Sequence, residues 1–298
     1  MPESMTATLM IFYAVFLGQI YLISIYYPGK IAARILYVLD NYPPSDYPKL
    51  YPSDQNKPEV IRSKLGFYKA YNTVVASIGF AVLIAMLALG YRPSPKGGDE
   101  IFVMLYFFLQ AMPLILISIS EMRQYKLMRT TLVSQTRKAD LNPRHLFDYV
   151  APGYVVTAVV LYIGWLAFFL SGNNFGMDDP VKIFAVIALI TGMNLAYVAI
   201  ITFFIRGKKL DPYKGAADRN KQIESTVKAL VLSSIGVSIF MMATQAADQY
   251  ALELFDPVLA SFYMQLCIIF GIGLALRTED VRKMDFEVYR DKEPKQTS

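Results

Sequence analysis

The residues with the clearest chemical potential lie in the apolar stretch 101–126, which carries a stripe of uncharged polar side chains. Tyr106, Gln110, Pro113 and Ser120 recur at steps of four, three and seven residues, so they share one face of a helix. Such a face suits the binding of a neutral solute or a lipid headgroup, or hydrogen bonds between neighbouring helices. Because lipid penalises exposed polar groups, we expect this face to turn inward.

Other apolar segments carry further uncharged polar residues, namely Gln19, Asn72, Asn194, Ser234, Ser238, Gln245 and Gln265. Our candidate interior polar face consists of Tyr106, Gln110, Pro113, Ser120, Asn194, Gln245 and Gln265. These groups either line a cavity or hold the bundle together through interhelical bonds of about 1 kcal/mol each. We favour the second interpretation, because every membrane bundle needs such bonds. Pro113 should also kink its helix and free a backbone carbonyl near Gln110.

Several classes of chemistry lack the residues that they need. With one histidine, His145, and one cysteine, Cys267, the chain cannot form a bis-histidine haem site or a His/Cys zinc site. It also contains no glycine-rich phosphate loop. We therefore predict no catalytic residue, no metal ligand, no cofactor and no enzymatic activity. The net charge of +5 is explained by basic loops beside an anionic leaflet, so no nucleic-acid partner is expected.

A second candidate site is the proline- and tyrosine-rich stretch 41–58. Its three Tyr-Pro steps supply the candidate partner strip Tyr42, Pro43, Tyr47, Pro48, Tyr51 and Pro52. This composition predicts extended or turn-like backbone with little core of its own. The strip either docks a protein partner or forms a belt of tyrosines on lipid headgroups, and the belt is the favoured interpretation.

The elements that must position these residues are membrane spans. The chain of 298 residues is 55% hydrophobic and only 18% charged, which is more apolar than a soluble domain of that length usually is. The apolar residues are concentrated in seven segments, at 6–27, 71–89, 101–119, 150–171, 181–205, 229–244 and 258–276. This pattern predicts an all-α, polytopic transmembrane bundle of seven spans. Pro28 and Gly29 should end the first span, before a short amphipathic helix on the inner surface.

The basic residues predict the orientation of these spans. Of the 29 lysines and arginines, 26 fall in alternate loops. By the positive-inside rule these loops are cytoplasmic, which places the N-terminus outside and the C-terminus inside. We assign residues 1–278 to a seven-helix domain, including the cytoplasmic loop 41–58, and residues 279–298 to a polar cytoplasmic tail. No Asn-x-Ser/Thr sequon occurs, which favours a bacterial inner membrane over a glycosylated plasma membrane.

Two functions of different class fit this sequence. The first is a non-enzymatic binding, accessory or scaffold subunit that contacts membrane or cytoplasmic proteins through the strip and the basic loops. The second is a transporter or channel for an uncharged or lipid-like solute along the face of Gln110 and Pro113. Membrane lipids are expected partners in both, and no oligomeric state is indicated. A shared Ser-Ile-Gly core at Gly79 and Gly236 also suggests one helix followed by three repeated hairpins.

Overall fold

Seven long helical stretches dominate the computed structural model, which describes residues 3–92, 98–130, 143–173, 180–250 and 252–290. All regular elements of these residues are helical. The stretches long and apolar enough to cross a membrane are Ala7–Asn41, Pro58–Ala88, Glu100–Thr130, Pro152–Gly172, Pro180–Arg206, Ala216–Gln249 and Asp256–Lys283. This confirms the predicted all-helical chain with seven helices capable of spanning a membrane. The proposed hairpin repeat stays a prediction.

The first and last spans are each built from consecutive helical pieces. The first joins α1 (Glu3–Gln19), a π-helical segment (Ile20–Tyr26) and α2 (Tyr27–Asn41). The last joins α8 (Asp256–Ile268), a second π-helical segment (Ile269–Gly273) and α9 (Leu274–Thr278). The five spans between them are α3 (Pro58–Ala88), α4 (Glu100–Thr130), α5 (Pro152–Gly172), α6 (Pro180–Arg206) and α7 (Ala216–Gln249).

The first span does not end at Pro28 and Gly29, so the break expected from the sequence is wrong. Pro28 is the second residue of α2, which follows the π-helical segment without a gap. At this junction the amide of Tyr27 donates to the carbonyl of Leu22, five residues back. The wider π turn shifts the hydrogen-bond pattern just before the proline, and the helix continues past it.

Two helices, α7 and α8, contact most of the other spans and each other. α8 packs against α1, α4 and α7, and α7 also packs against α5 and α6. α3 packs against α4 and the π-helical segment of the first span. The first span therefore lies beside the last one, and the polar residues of both face a common interior.

The outer faces of the spans are apolar. Phe184, Leu189, Ile84 and Leu105 are between 64% and 73% exposed, although they lie within long apolar helices. Large apolar side chains at this exposure are stable in lipid but costly in water. Contact with membrane lipids is the direct consequence.

One end of the bundle carries a folded layer of loops. Residues of the 41–58 stretch, the end of α4 and the segment after α9 share one buried cluster, which includes Tyr47, Met128, Phe286 and Tyr289. Gln124 of α4 donates to the carbonyl of Leu50 at 3.0 Å. The described part of the tail, 279–290, thus packs against the protein, whereas 291–298 lies outside the described residues.

Candidate functional site: the buried amide cluster

Two glutamines from different spans meet in the interior of the bundle. Gln19 and Gln110 are both 0% exposed, and the Gln19 Nε2 donates to the Gln110 Oε1 at 3.0 Å. The Gln110 Nε2 in turn donates to the Ser24 Oγ at 2.8 Å and to the Gln19 carbonyl at 3.3 Å. Both amide groups are therefore hydrogen-bonded to the protein itself, which removes the cost of burying them in an apolar bundle.

The last span completes this cluster. The Ser261 Oγ, 0% exposed, donates to the Gln19 Oε1 at 2.6 Å. One turn further along α8, the Gln265 Nε2 donates to the carbonyl of Val15 at 2.9 Å. We call Gln19, Ser24, Gln110, Ser261 and Gln265 the amide cluster. Its bonds join the first span to α4 and to α8.

Tyr106 extends the polar interior towards α3. Its hydroxyl donates to the carbonyl of Val75 at 2.9 Å and lies directly over Gly79. A Cβ atom added at Gly79 would come within 2.1 Å of this hydroxyl oxygen, so only glycine leaves room for it. The glycine therefore permits close contact between α3 and α4, as small residues do between membrane helices.

Pro113 leaves the carbonyl of Leu109 without a helical donor, because proline has no N–H. The hydroxyl of Tyr71 on α3 donates to this carbonyl at 3.1 Å. α4 nevertheless continues as one helix from Glu100 to Thr130. The freed carbonyl expected from the sequence is thus present, and a neighbouring helix satisfies it.

The remaining predicted interior residues lie elsewhere. Ser120 is exposed, so the polar stripe of α4 is buried over its first part only. Asn194 on α6 accepts a hydrogen bond of 2.5 Å from Ser234 on α7. Gln245 is half-buried near Gly172, whose Cβ would lie 3.0 Å from the Gln245 Nε2. The structure therefore brings Tyr106, Gln110 and Gln265 close to the first span and leaves the other three polar residues apart.

Sequence analysis missed two members of the amide cluster, Ser24 and Ser261. A signal for Ser261 was available, since it precedes Gln265 by four residues and shares its helical face. Ser24 had no comparable signal. Its burial depends on the π-helical segment, which changes the directions in which the side chains of residues 20–26 point.

Ionisable groups form a second buried cluster in the loop layer. The Lys214 Nζ lies 3.2 Å from the Glu279 Oε2, with both side chains 12% exposed, and Ser225 donates to the same carboxylate at 2.9 Å. Nearby, the hydroxyl of Tyr289 donates to the Asp211 Oδ2. Burial and the adjoining Asp211 carboxylate raise the pKa of Tyr289. These groups satisfy one another, as buried charges must.

The tyrosines of the partner strip pack on the protein's own tail. The rings of Tyr42 and Phe286 stack with centroids 4.0 Å apart. Tyr47 is 7% exposed, and its hydroxyl donates to the Glu287 Oε1 at 3.0 Å. Tyr51 donates to the carbonyl of Tyr42 at 2.7 Å. Tyr42 and Tyr47 thus both contact the protein's own tail, and the belt of tyrosines on lipid headgroups stays a prediction.

The prolines of the strip differ in exposure. Pro48 and Pro52 are half-buried, and Pro43 is exposed. In the described part of the chain, no group of three or more histidine, cysteine or acidic side chains is arranged to hold a metal ion. The sequence matches no known family model, no curated protein and no solved structure.

Proposed function

We propose that this membrane protein is a non-enzymatic accessory subunit that docks a protein partner through the tip of its proline- and tyrosine-rich loop. The observation that carries this proposal is the exposed turn of Pro43, Pro44, Ser45 and Asp46, which lies between two anchored tyrosines. Within it, the amides of Asp46 and Tyr47 both donate to the carbonyl of Pro43, at 3.2 and 3.0 Å.

The anchors give this tip a defined shape. On one side Tyr42 stacks on Phe286, and on the other Tyr47 is buried and bonded to Glu287. Two prolines further restrict the backbone of the turn. A preorganised exposed turn loses little conformational entropy on binding, which favours its use as a docking element.

The amide cluster supports this function over solute transport. The Gln110 side chain is 0% exposed and already bonded to Gln19 and Ser24. A solute passing at this depth would have to break those bonds and replace them. The cluster is better suited to holding the first span, α4 and α8 in one arrangement.

We infer an orientation with the N-terminus outside, the C-terminus inside and the loop layer in the cytoplasm of a bacterial inner membrane. The loop of residues 41–58, the 206–216 loop and residues 279–290 share contacts at one end, for example Tyr47 with Glu287 and Tyr289 with Asp211. These segments belong to the loops 28–70, 206–228 and 277–298, which hold 7, 7 and 6 of the 29 lysines and arginines. Reporter fusions at residues 1 and 298 should report opposite sides, and reports from the same side would contradict the orientation.

Site-specific photocrosslinking tests the docking role. A photoreactive amino acid at Ser45, in the exposed tip, should crosslink one defined protein in native membranes. The matched control is Ser63, an exposed serine in the first turns of α3. The same protein should co-elute with the chain in mild detergent, and Pro43→Ala with Pro44→Ala should weaken that co-elution about tenfold, because the turn loses its preorganisation.

Two results would contradict the accessory role. One is equal crosslinking from Ser45 and Ser63, which reports proximity without docking. The other is crosslinking from Ser45 to lipid alone, combined with elution of the chain free of any partner.

A further inference from the structure

A groove of about 620 Å³ runs between the first span and α3. This volume lies within the range of about 300–1,000 Å³ that is typical of ligand sites. One wall comes from the π-helical segment and α2, and the other comes from α3 between Lys69 and Phe80. The first wall is lined by small residues, among them Gly29, Ala32 and Ala33. Their size makes this wall shallow and leaves space for a flexible chain.

The groove opens sideways, towards the position of lipid around the bundle. Gly29, Ala33, Thr73 and Ser77 line it and are exposed, although they belong to two membrane-spanning stretches. A Cβ atom added at Gly29 would meet no other atom within 4 Å. The occupant of this space therefore reaches the groove from the membrane.

The groove is polar at one end and apolar at the other. Lys69 is the last charged residue of α3 before the uncharged run that ends at Ala88, so its ammonium lies at the level of lipid headgroups. Phe80 lies eleven residues further along, about 16 Å along the helix axis. Thr73 and Ser77 donate to backbone carbonyls of their own helix, at 3.0 and 2.9 Å, which reduces the polarity of the wall between these ends.

Two groups near the charged end have free capacity to bind. Among the described residues, no carboxylate pairs with the Lys69 ammonium. Asn72, 4% exposed on the floor of the groove, donates through Nδ2 to the carbonyl of Tyr68 at 2.7 Å. No donor of the described residues reaches its Oδ1. A cation and a carbonyl acceptor thus face the groove at headgroup depth.

We propose that this groove binds one anionic phospholipid, with the phosphate at Lys69 and an acyl chain along Ala76 and Phe80. The lateral opening selects a membrane component, the graded polarity selects an amphiphile, and the unpaired ammonium selects a negative headgroup. Asn72 accepts a hydrogen bond from a headgroup or glycerol hydroxyl. Ser24, which accepts from Gln110 and also lines the groove, joins the lipid site to the amide cluster.

A photoactivatable phosphatidylglycerol with its reactive group in the acyl chain tests this site. The full chain is reconstituted in phosphatidylcholine bilayers that contain the probe, and labelled residues are mapped by mass spectrometry. Labelling should concentrate on the groove walls near Ala33, Ala76 and Phe80. A phosphatidylcholine probe of the same design should label these positions about fivefold less, which is the discrimination expected from one lysine.

Two substitutions with matched controls decide the outcome. Lys69→Gln should lower labelling by the anionic probe about fivefold, and Lys30→Gln, an exposed lysine over the Tyr26 ring, should not. Gly29→Phe fills the groove and should abolish labelling by both probes. Gly66→Phe, at an equally open glycine of α3, should leave it unchanged. Detergent melting temperatures confirm that all four variants fold.

Three results would overturn the proposal. The first is labelling spread evenly around the bundle, and the second is labelling that persists in Gly29→Phe. The third is the absence of groove labelling in native membranes that contain the probe, while a photoreactive amino acid at Ala33 crosslinks to another protein there. That result would identify a helix of the other protein as the occupant.

Discussion

The hydroxyl of Tyr71 donates to the carbonyl of Leu109 at 3.1 Å, the acceptor that Pro113 leaves without a helical donor. A proline in one span is thus matched by a tyrosine in the neighbouring span. The pair explains how α4 passes through Pro113 while remaining one helix, since freed backbone groups at membrane depth need a partner from elsewhere in the protein.

Tyr71→Phe should destabilise the protein by about 1 kcal/mol, because it removes this bond and keeps the ring. In a Pro113→Ala background the amide of residue 113 can bond to Leu109 again. The cost of Tyr71→Phe should then fall towards zero. A double-mutant cycle of unfolding free energies in detergent measures this difference. Equal costs in both backgrounds would refute the pairing.

Gln110→Leu should destabilise the bundle by about 1–3 kcal/mol, because the Gln19 Nε2 loses its acceptor and Ser24 loses its donor. The cost should appear as a lower melting temperature of the purified protein. Ser118→Ala serves as control on the same helix. The exposed Ser118 donates to the carbonyl of Leu114 in its own helix, and its substitution should change stability by no more than about 0.5 kcal/mol. A neutral Gln110→Leu would show that the amide cluster is not structural.

Gly79→Ala should be destabilising by about 1–3 kcal/mol although alanine favours helices, because the new methyl group would displace the Tyr106 hydroxyl from its bond to Val75. At Gly236 the nearest atom to an added Cβ is 3.6 Å away. Gly236→Ala should therefore be neutral or stabilising. Thermal unfolding of the two variants side by side provides the comparison, and the reverse order would exclude the close contact at Gly79.

Tyr289→Phe should lower the free energy of local opening of the tail by about 1–3 kcal/mol at neutral pH. The reason is that the Asp211 carboxylate, 6% exposed, loses a donor. Amide hydrogen exchange of residues 281–290 measures the effect. Tyr250→Phe, at an exposed tyrosine, should leave that exchange unchanged.

The same contact should respond to alkaline pH. Burial and Asp211 raise the pKa of Tyr289 above its ordinary value of about 10, so the folded state holds the phenol proton more tightly than the unfolded state does. The stabilisation is fully present below about pH 10 and is lost as pH rises towards the raised pKa. The wild-type tail should therefore loosen above pH 10 by more than the Tyr289→Phe tail. If amide exchange of the tail depended on pH in the same way in the wild type and in Tyr289→Phe, this role of Tyr289 would be contradicted.

Hydropathy predicted the number of spans because the bilayer itself dictates the length and polarity of each helix. Periodicity correctly predicted that Tyr106 and Gln110 point inward, but it could not predict which helix each of them would contact. Asn194 pairs with Ser234 because α6 packs on α7, far along the chain from the first span. Ser120 is exposed because it lies in the stretch of α4 between the buried residues Pro113 and Met128, where the helix has no fully buried residue.

The loop layer shows the other limit of sequence reasoning. The pairing of Tyr47 with Glu287 joins residues 240 positions apart, and no local pattern encodes it. The tail appeared polar from its sequence because charged residues outnumber apolar ones such as Phe286 and Tyr289. Their burial depends on a surface that only the folded loops create.

The bond from Ser261 to Gln19 spans 242 positions, so its two halves emerge from the ribosome at nearly opposite ends of synthesis. Until the seventh helix is inserted, the amide oxygen of Gln19 in the first helix lacks its Ser261 donor. Biogenesis of this protein therefore includes an interval in which a nearly complete chain is membrane-bound but not yet closed, and a chain truncated before the last helix would remain in that open form.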